Sequence, residues 1–322
     1  MVYKCKFLKQ VVENDFDPTL GQTYTWELSD QPLAAVWLTI KGKLYAADEC
    51  IDDYLSVLNN IDLWFGGFNV IHYADAIKAL LTNCKLKGAF PYLVNSSQIA
   101  NDVVGVSFPL MLGAPYLTES MCLPESLNNR KKLTLGFVST STKLADVLID
   151  ISEVIMPDAK PLGFIKQEQQ SVTPPSTGDH DVWLQTNWDI LKLIFWGTTV
   201  PTSTTYTSTI ERAGLEINDF AFGYKGVPWE HLHAEMMDEL SGGLQTENHQ
   251  HLAAGATSNT GMPFGMEHWI SHFGELDFFF NYDLKWRAPT AGASTVKLKY
   301  NAGDTNVFYI VPVNYVPTSK VM

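Results

Sequence analysis

The chain has 322 residues, 46% of them apolar, 12% aromatic and only 18% charged, which is enough for one large domain or two of about 150 residues, each able to bury a core. Lys, Glu and Arg, which fill helix surfaces, are scarce, and short runs of Thr, Val, Tyr, Phe and Trp alternate with Gly, Pro, Asn and Ser, so the composition points to an all-β protein. A formal net charge of −13 repels phosphate and argues against a direct nucleic-acid partner.

The opening MVYKCKFLKQ places Lys4, Lys6 and Lys9 where a secretory leader needs an unbroken apolar core, and no later stretch is apolar for long enough to span a bilayer. The expectation is a protein made in the cytoplasm. These lysines, like Arg130, Lys131 and Lys132, are too few for a nucleic-acid footprint and read as a solvated end and turn. Cys5, Cys50, Cys84 and Cys122 are widely spaced with no CxxC pair, so they read as reduced thiols and not as a disulfide framework or zinc ribbon.

Along the first half, Leu33–Ile40 and Ile61–Phe65 read as strands, the second ending at Gly66-Gly67. Tyr73–Leu81, rich in good helix formers, reads as a short helix. Lys132–Phe137 and Ala145–Pro157 then alternate: Leu133, Leu135 and Phe137, or Val147, Ile149 and Ile151, fall on one face and Thr134, Asp150 and Ser152 on the other. Residues 157–161 mark a boundary, and the polar stretch Gln167–His180, with Pro174-Pro175, reads as a connection.

The second half repeats the order. Leu191–Phe195 and Leu215–Phe222 read as strands, residues 223–226 as the turn, and Pro228 opens a helix over Trp229–Leu240 that Gly242-Gly243 stop. Val296–Tyr300 and Val307–Pro317 match the two runs that close the first half. Thr198–Thr209, with Thr or Ser at nine of twelve positions, and Ser241–Thr260 read as long surface loops. A half-length repeat of strand, strand, short helix, strand and terminal hairpin fits two tandem eight-stranded jelly-roll β-sandwiches, each with a short helix, over residues 1–157 and 158–322.

This order of elements, together with the closing run KLKYNAGDTNVFYIVPVNYVP at 297–317, resembles the double jelly-roll viral major capsid proteins, notably those of turreted icosahedral archaeal viruses and related membrane-containing bacterial viruses. The resemblance covers nearly the whole chain, although Gly303-Asp-Thr-Asn306 is turn chemistry and not a site. It implies a virion protein that associates as a homotrimer, a pseudo-hexagonal capsomer of six upright barrels. These pack with neighbouring capsomers into an icosahedral shell over an internal lipid membrane, with minor capsid or penton proteins as further partners. Family members often end in a basic or amphipathic segment that meets the membrane; Pro317–Met322 is not one, which leaves Lys4–Lys9 as a weaker substitute.

Six of the eight histidines, His231, His233, His249, His251, His268 and His272, crowd one stretch. They raise a cupin-like alternative, a metal-dependent jelly-roll enzyme with Gly226, His231, His233 and Glu239 as its first motif and Pro263, Gly265 and His268 as its second. The spacings miss by a residue, and on a helix His231 and His233 point apart, whereas His231 and Glu235 share a face. A third reading, a carbohydrate-binding β-sandwich, would use Trp183, Trp188, Trp196, Trp229, Trp269 and Trp286 as stacking platforms, though alternation favours cores and subunit contacts. No GxSxG elbow, phosphate loop or HExxH helix occurs, and Asp52-Asp53 and Asp238-Glu239 read as ordinary surface. The sequence therefore nominates no catalytic, cofactor-binding or metal-ligating residue, and predicts a structural protein that works by self-association.

Overall fold

The computed structural model describes residues 6–46, 51–89, 91–95, 99–126, 131–201, 205–241 and 272–321. They form two compact units, one within 6–167 and 316–321, the other within 168–241 and 272–315. Cys5, Cys50, Arg130, His249, His251, Trp269, the Pro263–His268 motif and 242–260 of the second long loop lie outside the described residues.

The first unit contains β1 (Leu8–Phe16), β2 (Thr23–Glu27), β3 (Leu33–Leu44), α1 (Ile51–Leu55), β4 (Leu58–Phe65), β5 (Phe68–Tyr73), α2 (Ala76–Lys87), β6 (Tyr92–Asn95), β7 (Val103–Met111), β8 (Lys131–Phe137), β9 (Leu144–Ile155) and β10 (Gly163–Glu168). Its sheets run β1-β9-β3-β7-β6 and β10-β5-β4-β8-β2. Period-two alternation buries one face of β4 and β8 and much of β3. Leu38 and Ile40 of β3 sit opposite Ile151 and Ile149 of β9, while Ile61 and Leu63 of β4 sit opposite Leu135 and Leu133 of β8, all fully buried. Each such side chain contributes about 1.5–3 kcal/mol of hydrophobic stabilisation.

The second unit contains β11 (Gln170–Val172), β12 (Gly178–Trp183), β13 (Asp189–Gly197), β14 (Ile210–Ile217), β15 (Phe220–Ala221), β16 (Val227–Pro228), α3 (Trp229–Ser241), β17 (Phe273–Asp277), β18 (Val296–Ala302) and β19 (Phe308–Pro317). One sheet runs β17-β13-β19 with β11 on the far side of β19; the other runs β12-β18-β14-β15, with β16 also beside β14. Leu193, Phe195, Leu215, Leu298, Phe308 and Ile310 form its core together with Trp229 and Leu232 from α3.

With β6, β10 and β16 set aside, each unit has eight principal strands. In both, one sheet has the order first, eighth, third, sixth and the other second, seventh, fourth, fifth. That is one wrapped, jelly-roll topology occurring twice in the chain.

Several local expectations need correction. The run Leu215–Phe222 is not one strand: β14 turns into β15 through Asn218 and Asp219, with φ 52° and 65°. Gly66 and Gly67, φ 59° and 79°, make the equivalent two-residue turn between β4 and β5. Both are hairpins whose central residues need positive φ, which Asn and Asp tolerate nearly as Gly does. Tyr73 belongs to β5, and the helix starts later, where the Asp75 carboxylate accepts from the Ile77 N–H at 3.0 Å; it ends later too, at Gly88 in the left-handed region. The stretch Gln167–His180 is not a bare connection, since it supplies the first two strands of the second unit around the Pro174-Pro175 turn. The closing runs are not hairpins either, because β8 and β9, like β18 and β19, lie in different sheets. The first unit also has a second helix, α1.

Two buried polar arrangements fix the first unit. Helix α2 is buried from Ala76 to Leu86, so its Asn83 cannot face water. Asn83 Oδ1 accepts from the Met111 N–H at 2.6 Å and from Gln167 Nε2 at 3.0 Å, its Nδ2 donates to Ala79 O, and Tyr73 Oη donates to Gln167 Oε1 at 2.6 Å. Helix, strand and neighbouring strand are thereby held in one register. At the other arrangement the fully buried Lys131 donates to the carbonyls of Ser29, Asp30 and Gln31, and Glu153 Oε2 accepts from the Ser29 N–H at 2.8 Å. Burial pulls the Lys131 ammonium down to about 8, against the attraction of Asp30, Cys122 and Glu153; burial likewise raises Glu153, opposed by Ser29 and Lys131.

Candidate assembly surfaces

On the exposed face of the first unit's second sheet, alternation leaves Thr25, Thr134, Asp62 and His72 in one row. Asp62 accepts from Asn60 Nδ2 at 2.7 Å and Asn69 Nδ2 at 3.0 Å, and its Oδ1 lies 2.7 Å from His72 Nδ1. Burial alone would raise this carboxyl, but the hydrogen bonds from Asn60, His72 and Asn69 outweigh it and hold Asp62 below the usual carboxylate range. The result is a rigid polar lattice, flanked by the exposed Trp64.

The corresponding face of the second unit is a charge ladder. Lys299 pairs with Asp181 at 2.5 Å and lies 3.9 Å from Glu216; Lys297 pairs with Asp219 at 2.9 Å and sits 4.9 Å over the Trp183 ring. Trp183 and Phe220 nevertheless stay 64% and 77% exposed. Phe280 and Trp286 are exposed between β17 and β18, and Leu8 and Val11 along the edge strand β1. An edge strand offers unpaired backbone groups as well as side chains.

The histidines of the cupin-like reading are not brought together among the described residues. His231 Nε2 lies 3.3 Å from Glu235 Oε1 one helical turn away, as their spacing predicts. His233 Nδ1 meets Phe273 O at 2.7 Å, and His272 Nδ1 meets Gly197 O at 2.6 Å while its ring stacks on Trp196. Three histidines thus take three separate partners, and among the described residues no group of three His, Cys, Asp or Glu side chains could hold a metal ion. An open pocket of about 320 Å³ is lined by Asp179, His180, Arg212, Gly226, Lys299, Tyr300 and Asn301. Within its lining Asn301 donates to Asp179 at 2.7 Å, His180 Nε2 meets Ser176 O at 2.7 Å, and Lys299 pairs with Asp181. Cys84 and Cys122 are buried free thiols, Cys122 pushed up to about 12 and Cys84 also raised, so neither has nucleophilic character. Of the described tryptophans named for sugar stacking, Trp229 is core, Trp196 stacks on His272, Trp188 is half-buried, and Trp183 and Trp286 stand exposed.

No family model matches the sequence, and no curated protein matches it. Solved structures do match. The STIV MCP is 11% identical with a TM-score of 0.64 over 97% of both chains, and the major capsid protein P2 of bacteriophage PM2 is 10% identical with a TM-score of 0.61, again over 97% of both. The fold is the double jelly roll. The capsid of the virus PBCV-1 matches as well, at 9% identity and a TM-score of 0.57 over 98% of this chain and 95% of that one. At such identities the likeness is one of architecture, and it extends through both jelly rolls and not through one. The double jelly roll also explains why sequence order pointed to the fold while residue motifs did not: its strands are interchangeable apolar ladders, and what persists is the order in which they wrap.

Proposed function

We propose that this double jelly-roll chain is the major capsid protein of a virus, and that it works by self-assembly and not by catalysis. The observation that carries this reading is the repetition of one topology in two units, because three copies then supply six like barrels, the set from which a pseudo-hexagonal capsomer is built. The ranges 1–157 and 158–322 are the proposed repeats. Homotrimers would pack laterally with neighbouring capsomers into an icosahedral shell over an internal membrane, the exposed Trp183, Phe220, Phe280 and Trp286 burying against copies of the chain. Minor capsid or penton proteins would complete the shell, the protein being made in the host cytoplasm and residing in the virion capsid. The net charge of −13 supports a shell that does not bind the genome directly.

Size-exclusion chromatography with light scattering on the purified chain tests the proposal. A mass of three chains, or larger closed particles visible by electron microscopy, is the expected result. A stable monomer carrying stoichiometric iron, manganese or zinc would overturn it in favour of a metal enzyme.

A further inference from the structure

Lysine is among the residues least often buried, because its ammonium loses several kcal/mol of hydration on leaving water. Lys192 in β13 is fully buried, and so are Glu275 and Asp277 in β17. The antiparallel register sets Lys192 directly opposite Asp277, and Glu275, two residues away, projects on the same face. Lys192 Nζ lies 2.6 Å from Asp277 Oδ2 and 3.9 Å from Glu275 Oε2. The Asp277 carboxyl is held from its other side, where Oδ1 accepts from the Phe279 N–H at 2.7 Å, and its backbone N–H donates to Tyr224 Oη at 3.2 Å.

An amine, a carboxyl group in contact with it and a second carboxyl group beside both, all sealed from water, are the parts amide formation needs: nucleophile, electrophile and proton carrier. Fixed contact replaces the encounter of two groups in solution. Exclusion of water also favours condensation over hydrolysis. We propose that Lys192 and Asp277 condense into an isopeptide cross-link between β13 and β17, with Glu275 moving the proton. Lys192 first passes one ammonium proton to the Asp277 carboxylate it touches, and the freed Nζ lone pair adds to Asp277 Cγ to form the Nζ–Cγ bond; Glu275 takes a second proton from Nζ and delivers it to the same carboxyl oxygen, and the Cγ–O bond breaks. The two protons lost by the ammonium leave with that oxygen as one water, the amide keeps one N–H, and no oxidant or co-reactant is consumed. The bond ties residues 85 apart in sequence, which restricts the unfolded chain as any covalent loop does. This inference is independent of the capsid reading.

Intact-mass spectrometry of the full chain, followed by peptide mapping, is the test. The wild type is expected one water lighter than its sequence mass, with Lys192 and Asp277 recovered in a single branched peptide. Glu275→Gln, which keeps shape and removes the proton carrier, is expected at full mass; Lys192→Arg, which keeps the charge and removes the amine, serves the same purpose should the first variant not fold. A wild-type chain at full sequence mass, or a lost water mapped to another residue, overturns the cross-link and leaves an ion pair. A branched peptide persisting in folded Glu275→Gln overturns the role given to Glu275.

Discussion

Lys131 is buried with its ammonium on three carbonyl oxygens, and the sign of its contribution follows from two pKa values. Unfolded, a lysine titrates near ~10.4; folded, burial brings Lys131 to about 8. Between those values the unfolded chain holds the proton that the folded chain has released, so the Lys131 contribution to stability rises with pH across that window. Folding free energies of wild type and Lys131→Met, measured by urea denaturation from pH 7 to pH 10, are expected to diverge above pH 8, the wild type gaining on the order of 2 kcal/mol relative to the variant. Parallel curves would mean that the ammonium is not desolvated. Sequence reading grouped Lys131 with Arg130 and Lys132 as a solvated basic turn, although the alternation of Leu133, Leu135 and Phe137, carried back two residues, turns Lys131 inward. The hairpin at Asn218-Asp219 was missed for a different reason: two residues at positive φ were hidden inside Leu215–Phe222, an apolar-rich run taken as continuous although its alternation breaks at that pair. The glycines at 66–67 had advertised the same turn in the first unit.

Helix α2 shows how an element can be legible while its environment is not. Its existence followed from a run of helix formers, but nothing in that run showed that Lys78, Thr82, Asn83 and Lys85 are all buried. Burial of Asn83 is offset by specific partners, which no single-sequence pattern encodes because Gln167 and Met111 lie far away in the chain. Replacing Asn83 by Leu keeps the branched shape and does not lower helix propensity but strands the Met111 N–H and the Gln167 amide in the core. The expected cost is about 3 kcal/mol, read as a lower denaturation midpoint at unchanged slope. A neutral result would show that water reaches the network. The strands tell the opposite story: β3, β8, β9 and β19 were readable because their inner faces are rich in Leu, Ile, Val and Phe, whereas β11 and β12 were read as a linker because their sequence, Gln170 to Trp183, is polar on both sides of a Pro-Pro turn. Which strands pair was beyond alternation altogether; β8 and β9 are consecutive in sequence, yet only the folded wrap puts them in different sheets.

At the scale of the whole molecule, a chain that carries −13 and is proposed to pack against copies of itself faces mutual repulsion at every contact. Two effects compete as salt is added. Screening shortens the reach of the repulsion from about 30 Å at 0.01 M to about 8 Å at 0.15 M, while any ion pairs that bridge copies are weakened by the same ions. Within the second unit, Lys297 and Lys299 already spend their charge on Asp219, Asp181 and Glu216 of the same chain, and Trp183, Phe220, Phe280 and Trp286 offer apolar area that salt does not weaken. Association should therefore be apolar in its attraction and electrostatic in its resistance, and it should strengthen as salt rises across that range. Static light scattering on protein at fixed concentration is expected to show the mean particle mass increasing between about 0.01 and 0.15 M NaCl, with Trp183→Ser or Phe220→Ser lowering the plateau and leaving the salt dependence in place. Particles that fall apart over the same interval would instead assign the attraction to ion pairs between copies, and the exposed aromatic residues would need another occupant.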